Sequence, residues 1–276
     1  MRSRILLPRS IVMAATLGVF LSTTLQAQPM WVNYHNNKSI SVEWLKANFD
    51  GDDNTTFLSS ATFLTIRFPI NERLSFVGEV SVAHGELDFS GSDSKTTFGN
   101  PYLGLEIRPQ DSPLYFELGV RVPAVSSNNL ATFIGSFADA DRFEAFRPDL
   151  LTLEGMVNLY RMNRDTGFFL RLRGGSSLFF NTDAGLGQDD AEWFLVGDGF
   201  AGIQGDKLRV EGGLTSRLVL TEDDNLGERT FFQLGAIASL HLGQFRPGVH
   251  FRLPLDDDLT EIIDWVAGIN LHYILE

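Results

Sequence analysis

The stretch "LYFELGVRVPA", residues 114–124, decides how the chain folds. Leu114, Phe116, Leu118, Val120 and Val122 are apolar, and Tyr115, Glu117, Gly119 and Arg121 fall between them. A period of two is the signature of a β-strand with one oily and one polar face. Alternation leaves the orientation open. In a soluble barrel the oily face fills the core. In a membrane barrel it meets lipid, and Glu117 and Arg121 point into the lumen.

Strand length and loop rhythm choose between the two. Period counting gives about twelve such segments, near 39–48, 57–69, 73–84, 98–108, 114–123, 150–162, 167–180, 192–204, 207–220, 229–242, 245–254 and 262–275. Most reach the roughly 9–11 residues that a tilted strand needs to cross a bilayer, whereas soluble strands average about five or six. The connections alternate. "INE", "PQDSP", "NRDTG", "QGDK" and "GQ" are short; "DGDDNTT", "GELDFSGSDSKT", residues 124–149, "NTDAGLGQDD", "EDDNLGER" and "LDDDLTE" are long. Short turns on one rim and long loops on the other are what outer-membrane barrels show, and an even strand count puts both chain ends at the short-turn rim.

The chain start agrees. Arg2, Arg4 and Arg9 precede the apolar run "IVMAATLGVFL" (11–21), and small or neutral residues follow around Ala27. This is the layout of a secretory signal peptide over 1–27, which leaves residues 28–276 as one barrel domain with a short periplasmic lead before the first strand. The 276 residues contain no Cys, so no disulfide or thiolate metal site exists. Mean hydropathy is −0.01, and beyond the signal no continuous apolar run reaches helix-spanning length. Net charge is −13; losing three signal arginines and no acid makes it −16. That excludes a nucleic-acid partner, which requires a basic surface.

Other strands repeat the opening pattern. "KLRVEGGLTSRLVL" (207–220), "PYLGLEIRP" (101–109) and "FRPGVHFRLP" (245–254) each oppose an oily row to a charged one. A mid-depth Arg facing lipid costs about 2–4 kcal/mol, so the charged rows must face inward. The expected lumen set is Glu106, Arg108, Glu117, Arg121, Glu154, Arg171, Arg173, Arg209, Glu211, Arg217, His250 and Arg252, with ion pairs between neighbouring strands. Phe68, Phe116, Phe168, Phe245 and Tyr273 near one rim, and Trp193, Phe232 and Trp265 near the other, suit two aromatic belts. In the long segment 124–149, Ile134, Phe137, Ala140, Phe143 and Phe146 recur every three residues. The spacing predicts a short helix over 134–146 that either folds inward as a constriction, caps the rim or stays mobile.

These features together resemble the bacterial outer-membrane β-barrel class in a twelve-stranded, porin- or transporter-like form. The resemblance covers the whole chain after the signal and rests on pattern. "FGNPYLGLEI" (98–107) also resembles a G-(D/N)-P-x-L-G strand of barrels associated with aromatic-compound degradation pathways. The resemblance implies the outer membrane of a Gram-negative bacterium, contact with membrane lipid and lipopolysaccharide, and insertion by the barrel-assembly machinery. One departure stands out. Such barrels often end in an aromatic residue, whereas this chain ends "LHYILE".

No catalytic, metal or cofactor signature is present. His241, His250 and His272 fall on successive strands without a convergent ligand set, and neither G-x-S-x-G nor H-E-x-x-H occurs. The acidic loops "DGDDN" (50–54), "EDDN" (222–225) and "LDDDL" (255–259) either bind divalent cations at lipopolysaccharide phosphates or form a solvated, repulsive surface. Three functions fit: a narrow channel for small polar or ionic solutes, a closed barrel with a structural or surface-binding role, and a membrane-embedded lipid hydrolase.

Overall fold

The computed structural model describes residues 37–50, 55–88, 94–110, 112–125, 127–183, 191–221 and 229–275. The expected signal peptide and the acidic clusters at 51–54 and 222–225 lie outside them.

Thirteen strand segments make one antiparallel sheet that closes on itself. They are β1 Ser39–Phe49, β2 Ser60–Pro69, β3 Leu74–Gly85, β4 Lys95–Phe98, β5 Tyr102–Ile107, β6 Leu114–Arg121, β7 Leu150–Met162, β8 Phe168–Asn181, β9 Ala191–Gln204, β10 Leu208–Val219, β11 Thr230–Leu240, β12 Phe245–Pro254 and β13 Ile263–Ile274. Both β4 and β5 pair with β3. They are two parts of one stave, so the barrel has twelve. Pairing of β1 with β13, from Ser39 opposite Ile274, closes the ring and leaves no edge. The segment expected as one strand over 98–108 is interrupted at Gly99–Pro101, where proline removes a ladder donor. The strand expected from 57 begins only at Ser60.

In β6 the burial alternates as the sequence requires. Tyr115, Glu117 and Arg121 are buried, while Leu114 and Val122 are exposed on the outer face. The same holds round the ring, where Val80, Leu103, Leu172, Leu214, Val249 and Ile269 form an outward oily band. Phe68, Phe168, Phe245 and Tyr273 are exposed near the turn rim, and Trp193 and Phe232 near the loop rim. Only lipid satisfies such a surface. Val249→Arg, at mid-height of β12, is therefore expected to destabilise the folded barrel by about 2–4 kcal/mol. Equilibrium refolding into lipid vesicles across a denaturant series measures this, with Val249→Leu as the neutral reference.

The connection between β6 and β7 does not cap the rim. It turns inside. Asn129 starts helix α1 (Leu130–Ala138) with a capping box: its side chain accepts from the backbone N–H of Ala131 and Thr132, and the Thr132 hydroxyl accepts from the Asn129 N–H. Extended backbone at Asp139 ends the helix, and a 3₁₀ segment, Ala140–Ala145, follows. The expected single helix over 134–146 is thus two pieces. The second piece is itself kinked, with non-helical backbone at Arg142 (φ −133°, ψ 31°), so the repeat of three does not run along one continuous helix. Ile134 and Phe146 pack with Leu45, Ala47, Phe63 and Ala83 on the inner faces of β1, β2 and β3.

Candidate functional site

All twelve charged or histidine residues picked from the alternation lie on the inner face, most of them fully buried. They sort into two layers. Near the turn rim, Arg67 and Arg108 both reach Glu106, the second at 3.6 Å. Arg171 and Arg209 share Glu211 at 3.1 Å each, and Arg173 meets Glu117 at 3.3 Å. Arginine faces lie on rings here, Arg209 at 4.0 Å over Phe169 and Arg108 at 4.5 Å over Tyr115. Arg246 on β12 joins this basic half.

The second layer, towards the loop rim, is built jointly by wall and inserted segment. Its centre is Arg142. One guanidinium nitrogen bonds Glu43 of β1, another donates to Glu79 of β3 at 2.8 Å, and Nε donates to Asp139 at 2.6 Å. The same group sits 3.6 Å over Phe63 of β2. Arg252 donates to Asp139 at 2.7 Å and to Glu43 at 3.1 Å. His250 Nε2 is 3.4 Å from that Glu43 carboxylate. Arg217 donates to Glu144 at 2.9 Å and to the Asp141 carbonyl. Arg121 holds Glu79 at 2.9 Å. Burial alone would raise the Asp139 carboxyl, but Arg142 and Arg252 outweigh it and hold that group below the usual carboxylate range.

Backbone clamps add to the ion pairs. Asn100, in the break between β4 and β5, is fully buried. Its amide nitrogen donates to the carbonyls of Glu144 and Arg147 at 2.9 and 2.7 Å. Its side-chain oxygen accepts from the N–H of Ala124 and Val125, and its own N–H donates to Ala145 at 2.7 Å. The "GNP" of the quoted 98–107 stretch is therefore the seat of the inserted segment. Gly99 allows the close approach, since a Cβ there would lie 2.5 Å from the Ala145 carbonyl oxygen.

Above the segment, at the loop rim, opens a vestibule of about 610 Å³, the size of a small-molecule pocket. Phe133, Phe137 and Phe143 line one side and Phe194, Phe231 and Ile262 the other. Phe143 packs edge-on against Phe179 and Phe194 at 5.4 and 5.8 Å, forming its floor. Below the floor, among Glu79, Arg121, Arg142, Glu154, Asp198 and Arg217, only about 30 Å³ is open. That is room for a water or two and for no organic solute.

A closed ring of twelve lipid-facing staves with its charges inside matches one architecture. The chain has the fold of a twelve-stranded outer-membrane β-barrel. Solved barrels agree in fold. An outer membrane channel from Pseudomonas putida F1 superposes with TM-score 0.56 at 12% identity, over 91% of this chain and 100% of that one. The NanC porin gives 0.54 at 8%, over 86% and 100%. The translocator domain of the autotransporter NalP from Neisseria meningitidis gives 0.52 at 11%, over 96% and 97%. No family model and no curated protein matches the sequence.

Several residues central to this barrel are absent from the set that alternation selects. Glu43 and Glu79 carry the same inward phase as that set. Asp139, Asp141, Arg142 and Glu144 lie in the loop segment "ADADRFEA", where acid and base are set among phenylalanines. Of the acidic loops, "LDDDL" is described. Its Asp256 is occupied structurally, accepting from Leu259 N–H at 2.9 Å and from Phe232 N–H at 2.9 Å.

Proposed function

We propose that the barrel is a gated channel for small solutes, closed while residues 129–146 sit inside. One observation carries this reading: the occluding element is not the wall but a loop segment, seated by ion pairs and by apolar packing on β1–β3 and tied to the wall at its two ends. Moving it takes away Phe133, Phe137 and Phe143 and opens the wall side of the vestibule to the lower layer, whose long arginine side chains change rotamer without moving the staves. Export by the 1–27 signal, insertion by the assembly machinery, and solute selection by the twelve lumen residues belong to the same proposal.

A second reading has one observation in its favour. Inner charges are paired in both layers and the upper one leaves about 30 Å³ open, which suits a permanently closed barrel acting through its vestibule. A hydrolase has less support. Thr96 Oγ1 lies 2.9 Å from His84 Nδ1 on the outer wall, but Glu86 is 3.9 Å from the other ring nitrogen, too far to orient it by a hydrogen bond.

Planar-bilayer recording of the refolded, heat-modifiable protein separates the first two. A gated channel shows a mostly silent baseline with discrete steps that scale with salt. A folded barrel that never conducts at any voltage overturns the channel and leaves the closed barrel.

A further inference from the structure

The charges of wall and segment do not balance separately. Leaving aside Glu192, which faces the vestibule at the loop-rim end of β9, the inner wall of the described strands and their ends carries nine arginines: Arg67, Arg108, Arg171, Arg173, Arg209 and Arg246 in the lower and middle part, and Arg121, Arg217 and Arg252 above. Against them stand seven carboxylates, Glu43, Glu79, Glu106, Glu117, Glu154, Asp198 and Glu211. The wall therefore has two positive charges in excess. The buried turn of the inserted segment brings three carboxylates, Asp139, Asp141 and Glu144, and one arginine, Arg142. Its excess is two negative charges. The segment neutralises the wall.

The contacts show where. Arg252 donates to Asp139 at 2.7 Å. Arg217 gives every hydrogen bond described for it to the segment, to Glu144 Oε2 at 2.9 Å, to Oε1 at 3.4 Å and to the Asp141 carbonyl. Without the segment, Arg121 keeps Glu79 and Arg252 keeps Glu43, but Arg217 loses those bonds. It then lies on the inner face below the wall pair Phe179–Phe194, which stays when Phe133, Phe137 and Phe143 leave with the segment.

We infer that the inserted carboxylates occupy the place of the permeant solute, and that the open barrel selects small organic carboxylates with an apolar body. Asp139 and Glu144 act as tethered anions. The wall half of the vestibule, Phe194, Val219, Phe231 and Ile262, takes the apolar body by burial, and Arg217 offers a planar guanidinium that matches a carboxylate fork. The lower layer, with Arg67, Arg108, Arg171, Arg209 and Arg246 against three glutamates, continues the cationic path to the turn rim. This inference rests on the gated-channel reading and adds the solute class to it.

The test uses a barrel in which a short Gly-Ser linker replaces residues 129–146, with folding verified by heat modifiability. Two measurements are made. Under a KCl gradient the reversal potential is expected on the chloride side, and Arg217→Gln shifts it towards zero. In detergent, calorimetry with benzoate, benzyl alcohol and benzylammonium is expected to give binding of benzoate above the other two, lost in Arg217→Gln. Potassium preference, or benzoate bound no better than benzyl alcohol, overturns the inference. A folded linker barrel that conducts nothing yet binds benzoate through Arg217 overturns the channel reading and leaves the anion site standing. If the linker barrel does not fold, full-length Asp139→Asn/Glu144→Gln serves in its place, with the same expected anion preference and the same overturning results.

Discussion

Arg142→Ala raises the open fraction of the barrel by roughly 10²–10³-fold. In the closed state Arg142 neutralises three carboxylates, Glu43, Glu79 and Asp139, all of them buried. Truncating one partner of a buried ion pair leaves the other charge uncompensated in low dielectric and costs about 3–5 kcal/mol. The cost falls on the closed state. With the segment outside, Glu43 still has Arg252, Glu79 still has Arg121, and Asp139 is in water. Arg252 and Arg121 still touch these carboxylates in the closed variant, so the lower part of that range, about 3–4 kcal/mol, applies, and at about 1.4 kcal/mol per factor of ten the equilibrium moves by the stated two to three decades. Single-channel open probability reads it directly. Arg142→Lys is expected to recover only part of the closure, because one ammonium cannot span three carboxylates as a planar guanidinium does. Unchanged gating in a folded Arg142→Ala barrel would show that the segment is held by its apolar packing on β1–β3 alone.

Gly99→Ala unseats the same segment by steric means. A Cβ at Gly99 would lie 2.1 Å from Ser81 Oγ, 2.5 Å from the Ala145 carbonyl oxygen and 3.0 Å from the Phe146 ring. The serine hydroxyl can turn away. The Ala145 backbone cannot, short of the whole segment lifting by about an ångström. Lifting breaks the Asn100 N–H bond to Ala145 and strains the Asn100 side-chain bonds to Glu144 and Arg147. Each buried polar group left without its partner costs about 1–3 kcal/mol. Two such losses amount to about 2–6 kcal/mol against seating. Limited trypsin digestion at Arg142 is then expected to accelerate at least tenfold, while the barrel keeps its heat-modifiable mobility. Adding Ser81→Ala to Gly99→Ala separates the two clashes. If the double variant is protected like the parent, the serine was the obstacle and the Gly99–Ala145 approach is not what seats the segment.

Much of the barrel is legible in the chain because its determinants are local. A period of two fixes which residues share a face, and bilayer thickness turns strand length and oily rows into a wall orientation. Glu117 and Arg121 are inward for that reason alone, and so are the other ten chosen lumen residues. Loop rhythm likewise assigns the rims from neighbouring residues. The break at Gly99–Pro101 is visible as a Gly and a Pro flanking Asn100, yet its purpose is not, since what it accommodates is the backbone of residues 144–147.

What the chain by itself determined is a twelve-stave wall, its two faces and the presence of an unusual segment between β6 and β7. Only the tertiary structure decided that this segment enters the lumen and packs on its inner wall. The physical reason is sequence distance. Arg142 meets Glu43 across 99 residues and Arg252 meets the same carboxylate across 209. No local pattern encodes such a meeting, because it depends on closing the ring and on the lumen volume left for the segment to fill.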